Sequence, residues 1–218
     1  ARNLALAETK LPGQDLVSGC PACWLATREA AERLNGAEHL MADTNEALKE
    51  AGLNFKGTVK ARHMVEVLVE DIGFAGLKAP VVKPLEDMKI AGYVGCQTNR
   101  PFGIAGESFE NPMYLDKMIE SVGAEPVAFD QKVTCCGGAL AFSEPDKSQK
   151  LIVTPCQLCQ ANVEIYQSEI NKKKGTKLNM PVVYYSQLMS VAYGGSAKEA
   201  GLNGQLIKAE KLEKIAGK

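Results

Sequence analysis

Cys135 and Cys136 stand side by side and are followed at once by Gly137 and Gly138, in the stretch VTCCGGALAFSEP that begins at Val133. Neighbouring side chains point apart, to opposite faces of a strand and well round the axis of a helix. Two adjacent thiolates therefore share one tetrahedral zinc poorly, and the pair makes more sense at a larger object. The other five of the seven cysteines are grouped as well: Cys20 with Cys23, Cys96, and Cys156 with Cys159. Both C-x-x-C pairs have the spacing at which two thiolates converge on one centre. A disulfide framework suits small secreted domains, whereas 218 residues with 45% hydrophobic side chains can bury a core without staples. Inert buried cysteines would account for one or two positions but not for two C-x-x-C pairs and a C-C-G-G.

The formal net charge of −1 gives no chain-wide basic field for nucleic acid or anionic lipid. The local run Asn171–Lys174, NKKK, reads as a solvated helix end. No window approaches the ~20 apolar residues of a membrane span, and the N-terminus lacks a signal peptide's layout. The expectation is a soluble, cytoplasmic protein without nucleic-acid partners. No G-x-G-x-x-G or P-loop occurs, so no nucleotide cofactor is expected.

The chain repeats itself. LVSGCPACWLATREAAERL from Leu16 matches LIVTPCQLCQANVEIYQSEI from Leu151: an apolar run, a C-x-x-C, then helical spacing. VKARHMVEVLV from Val59 and VVYYSQLMSVAY from Val182 both read as a short strand entering a short amphipathic helix. KPLEDMKIAGYVGCQTNRPFG opens the second copy as a strand ending at Gly95-Cys96, followed by a helix over Met113–Val122 and a strand running into Cys135-Cys136. The predicted fold class is α/β, two pseudo-symmetric units with small, mostly parallel sheets flanked by helices and cysteines at strand ends. The predicted division is 1–80, the latter half of a first unit, and 81–218, a complete second unit. The start at Ala1, in helical text and without a first half for copy one, is expected of a portion of a longer protein.

The ordered set Gly95-Cys96, Cys135-Cys136-Gly137-Gly138 and Pro155-Cys156-x-x-Cys159 resembles the cysteine-rich CCG domain of the B-type subunit of heterodisulfide reductase and its relatives. These include the B-type subunits of heterodisulfide-reductase-like complexes of sulfur oxidisers, the cysteine-rich subunit of non-classical succinate and fumarate reductases, and a glycolate oxidase subunit. The resemblance covers nearly the whole chain. It implies that Cys96, Cys135, Cys136, Cys156 and Cys159 hold a noncubane [4Fe-4S] cluster, the adjacent pair on different irons and Gly137 and Gly138 turning the backbone against sulfide. Cys20 and Cys23 would be part of a second metal site, holding a further cluster or zinc. Nineteen residues lie between Cys136 and Cys156, fewer than in the family. Omission of residues is expected rather than loss of a helix, because a parallel crossover needs roughly a dozen residues.

The resemblance also implies an oxidoreductase subunit acting on disulfides or sulfane sulfur, with sulfurs of the substrate meeting the irons. Electrons would come through a cubane iron–sulfur (C-type) subunit and a flavin (A-type) subunit. The details GCQTNRPFG and CCGGALAFSEP lean toward the sulfur-oxidising complexes, with a lipoate-carrying protein as thiol partner and any membrane association made through partners. The alternative is an electron-relay subunit of a succinate or fumarate:quinone reductase; a purely structural zinc module is disfavoured by the adjacent pair and the fifth cysteine. Arg100, Glu107 and Ser108, in the loop RPFGIAGESFENP, are candidates to meet an anionic thiol substrate, or else to cap the next helix. His63 is expected to be structural, His39 solvated, and Tyr184 and Tyr185 to pack in a strand. The stretch SAKEAGLNGQLIKAEKLEKIAGK from Ser196 reads as a surface helix, apolar at Leu206, Ile207, Leu212 and Ile215.

Overall fold

The apolar runs ahead of the two C-x-x-C pairs are strands, and the segments after them are helices. The computed structural model describes residues 1–128, 130–136 and 151–217. They form two compact units, Ala1–Val67 and Leu68–Lys218. Gly137 and Gly138, and the polar stretch 146–150, lie outside the described residues.

In the first unit, α1 (Arg2–Lys10) is followed by β1 (Leu16–Ser18), α2 (Pro21–Asn35), α3 (Glu38–Lys49), β2 (Ala61–His63) and α4 (Met64–Val67). The two strands pair in parallel, Leu16 opposite Ala61 and Ser18 opposite His63. Leu4, Leu34, Leu48, Phe55 and Val59 make the core. Cys20 is extended (φ −106°, ψ 119°) and Pro21 opens α2, a position where the missing N–H of proline costs nothing.

The second unit begins with a π-helical turn (Leu68–Ile72) and α5 (Gly73–Lys78). There follow β3 (Lys89–Gly92), α6 (Tyr114–Ser121), β4 (Glu125–Val127), β5 (Leu151–Thr154), α7 (Gln157–Ile165), α8 (Gln167–Lys174), β6 (Val182–Tyr184) and α9 (Tyr185–Ala192). A 3-10 turn (Leu202–Gly204) and α10 (Glu210–Ala216) complete it. The sheet order is β4-β3-β5-β6, and every pairing is parallel. Central β5, LIVT, is buried along its whole length, as a strand covered on both faces must be. The expected helix over Met113–Val122 is α6, which buries Tyr114, Leu115, Met118 and Ile119.

The repeat extends to individual hydrogen bonds. Ser18 Oγ accepts from the Cys20 N–H at 3.2 Å, as Thr154 Oγ1 accepts from the Cys156 N–H at 3.3 Å. Glu66 accepts from the His63 N–H at 2.5 Å, as Gln187 accepts from the Tyr184 N–H at 2.9 Å. Three expectations need correction. β3 ends at Gly92, not at Gly95-Cys96, because the Val94 and Gly95 N–H groups leave the sheet for the Lys132 carbonyl. β4 stops at Val127, and a turn through 130–133 rather than a strand carries the chain to Cys135. The C-terminal stretch is not one helix, since Gly201 and Gly204 interrupt it; only Glu210–Ala216 is α-helical, with Leu212 fully buried and Leu206 67% exposed.

Candidate metal centre

Three neighbouring strands of the second unit end at the same side of the sheet, and each leads to cysteine. β3 runs on through Tyr93, Val94 and Gly95 to Cys96; β4 leads to Cys135 and Cys136; β5 leads within two residues to Cys156 and then Cys159. This is the end at which open parallel sheets place their ligands. Cys156 and Cys159 are buried, Cys96 and Cys136 half-buried, and Cys135 exposed.

The sulfurs meet in linked pairs. Cys96 interacts with Cys135, and Cys159 with both Cys156 and Cys136. The Cys159 N–H donates to Cys156 Sγ at 3.4 Å, and the Asn162 amide donates to Cys136 Sγ at 3.6 Å. Hydrogen bonds from the Cys159 thiol and from the Leu158 and Cys159 amides at the start of α7 hold the Cys156 thiol down at about 6, against the cost of burial. Donation to that thiolate, together with burial, pushes Cys159 up. Burial first, and then the neighbouring Cys135, raises Cys96. Among the described residues, no group of three or more His, Cys, Asp or Glu has the geometry of a site for one metal ion.

Gly95 is required by this arrangement. Its φ of +77° is left-handed, and a Cβ there would stand 3.1 Å from Cys159 Sγ. Tyr93, not singled out by the sequence, occupies the centre. Its ring packs in one core with Cys156, Cys159, Ile152 and Val182, and its hydroxyl donates to the Thr134 carbonyl at 2.6 Å. Burial, and then the charges of Cys159, Cys136, Cys135 and Cys96, push its phenol well up. A buried tyrosine in the stretch GYVGC needs a partner for its hydroxyl, and that was the available signal.

The other candidates lie on the loop that leaves Cys96, whose carbonyl accepts from the Arg100 N–H at 2.9 Å. The Arg100 guanidinium bonds Glu110 at 2.8 Å. Glu107 accepts from the Met113 N–H at 2.6 Å, at the entrance to α6. Ser108 Oγ accepts from the Glu110 and Asn111 N–H groups at 3.2 and 3.1 Å. All three side chains are engaged in shaping this loop and starting α6.

In the first unit, Cys23 is exposed and interacts with half-buried Cys20, which raises its thiol. His63 is buried and accepts from the Val65 N–H at 3.2 Å through Nδ1. His39 is exposed. Tyr184 ends β6 and Tyr185, buried, starts α9.

An α/β chain that presents thiols at parallel strand ends is the class that fold and site define. No family model matches the chain. The chain is 33% identical to the B-type subunit of the ferredoxin/F420H2-dependent CoB-CoM heterodisulfide reductase of Methanosarcina acetivorans, over 99% of this chain and 77% of that protein. It is 34% identical to the 8-methylmenaquinol:fumarate reductase membrane anchor subunit of Wolinella succinogenes, over 97% of this chain and 78% of that one. A crystal structure of a hypothetical protein from Helicobacter pylori shares the fold, with TM-score 0.72 at 16% identity; the match covers 95% of this chain and 40% of that one. The chain therefore belongs to the family of the heterodisulfide reductase B-type subunit and its homologues. Among the described residues no helix is long and apolar enough to cross a membrane.

Proposed function

We propose that this chain is the iron–sulfur subunit of a heterodisulfide-reductase-like complex, in which Cys96, Cys135, Cys136, Cys156 and Cys159 hold a noncubane [4Fe-4S] cluster. The observation that carries the reading is the gathering of these five thiols from three adjacent parallel strand exits around Tyr93. The donor set supports it: all sulfur, the ligand type that iron–sulfur clusters take, and linked pairwise rather than closed on one ion. When bound, such a cluster supplies single electrons to a sulfur substrate.

The chain's own part is to hold charge and exclude water. Amide N–H groups at the start of α7 and the Asn162 side chain donate to sulfur, which stabilises thiolate. The buried core around Tyr93 keeps the β5 thiols dry while Cys135 faces solvent, on the side from which a disulfide or sulfane sulfur could approach. Electrons would be delivered by a cubane iron–sulfur subunit and a flavin subunit, and a lipoate-carrying protein suits the role of thiol partner. Cys20 and Cys23 contribute two ligands to a second site, for a further cluster or zinc.

A second reading is favoured by the similarity to the fumarate reductase subunit: an electron relay toward a quinone, without thiol chemistry. Iron, zinc and acid-labile sulfide in the anaerobically purified chain, with EPR after mild oxidation, test both. About four irons per filled site, with a signal that candidate thiols alter, are expected for sulfur chemistry. A signal indifferent to thiols supports the relay, and absence of iron and sulfide overturns the cluster itself.

A further inference from the structure

The segment that carries Cys135 and Cys136 belongs neither to a strand nor to a helix, yet it is tied to the end of β3 at two successive points. The Lys132 carbonyl accepts from the Val94 N–H at 2.8 Å and the Gly95 N–H at 2.9 Å. Two residues on, the Thr134 carbonyl accepts from the Tyr93 hydroxyl at 2.6 Å. Thr134 is itself folded back on Gln131, through its N–H at 3.1 Å and its hydroxyl at 2.8 Å.

The Lys132 side chain anchors the first tie. It is buried, its ammonium paired with Asp116 on α6 and close to the Pro112 carbonyl at 3.4 Å. The glycine at the end of β3 leaves room for Asp116 in this position: a Cβ on Gly92 would stand 2.8 Å from Asp116 Oδ1. A buried ion pair is poor ground for stability, since desolvation offsets the attraction, but it is good ground for fixing one register among several. Gly92, Tyr93, Val94 and Gly95 thus each hold the turn before Cys135 or make room for what holds it. Tyr93 also shares one buried core with Cys156 and Cys159, so one side chain links all three strand exits.

We propose that Tyr93 and Lys132 are positioning residues that fix Cys135 and Cys136 relative to Cys96 and to the β5 thiols before any cofactor binds. This rests on the reading of the five thiols as one ligand set, and it assigns the protein's control over that set to a hydroxyl and a buried ammonium rather than to the cysteines.

The test uses the full chain, as purified and after chelation, with Tyr93→Phe, which removes one oxygen, and Lys132→Met made together with Asp116→Asn so that no carboxylate is left buried alone. In the chelated chain, hydrogen exchange at Val94, Gly95 and Thr134 is expected to quicken about fivefold, the change in opening that loss of one ordinary hydrogen bond produces, while Ile152 in β5 is unaffected. In the loaded chain, iron content is expected to be kept and the EPR line shape to change. Uniform quickening across the second unit with an unaltered spectrum would reduce both residues to general stabilisers and overturn the proposal, as would exchange and spectrum both equal to the parent. If the parent takes up no iron and sulfide, the cluster reading fails, and the exchange experiment still decides whether the ties exist.

Discussion

His63 places an imidazole where water does not reach. Its Nδ1 accepts from the Val65 N–H, so the proton of the neutral ring sits on Nε2, which is buried without a hydrogen-bond partner among the described residues. Burial pushes the group down to about 4, from about 6.5 in an unfolded chain. A base whose folded value is depressed contributes stability that is whole above the unfolded value and lost as pH falls toward the folded one. Between pH ~6.5 and ~4 the metal-free chain is therefore expected to lose about 3 kcal/mol. Trp24, the chain's one tryptophan, meets the His63 ring edge-on at 5.7 Å and reports the event by fluorescence. Replacement of His63 by Phe is expected to flatten the pH dependence of unfolding, and an undiminished slope would place its origin elsewhere. The sequence reading of His63 as structural needed only its position between a strand and a helix.

Among the elements, α7 does more than present Cys159. Its buried Glu164 accepts from the Val182 N–H at 2.9 Å, where β6 begins, and from the Leu206 N–H at 3.2 Å. Glu164→Ala leaves two amides unpaired and is expected to lower stability by about 1–3 kcal/mol in denaturant unfolding. Glu164→Gln keeps only one of the two acceptor oxygens, Val182 and Leu206 donating to different ones, and is expected to recover only part of the loss; equal loss from both would mean that a single retained acceptor contributes nothing. The strand, C-x-x-C and helix pattern was legible because it is local: apolar run, cysteine spacing and helical period all lie within twenty or so residues. The ends of β3 and β4 were not, because Val94 and Gly95 trade sheet partners for a carbonyl that lies far along the chain. Lys132 and Asp116 gave no signal for the same reason. Each is an ordinary charged residue until the fold puts one beside the other.

For the chain as a whole, the cysteines divide by unit: Cys20 and Cys23 in the first, the other five in the second. On the proposed reading, Cys135→Ser or Cys136→Ser is expected to abolish the iron–sulfur EPR signal that the reading assigns to the second unit, and Cys20→Ser to leave it. Equal loss from all three would show that one site draws on both units. The α/β class and the internal repeat could be read from the sequence because β1 and β5 carry the same signature. The strand order could not, since nothing in LIVT says that it lies between β3 and β6. That order has a consequence for how the protein matures. β4 follows β3 and pairs on one edge of it, but β5 is made later and adds to the opposite edge, bringing Cys156 and Cys159 with it. A ribosome that has released only Cys96, Cys135 and Cys136 has released a half-built sheet, so on the proposed reading the five-thiol set first comes together when β5 and α7 have emerged.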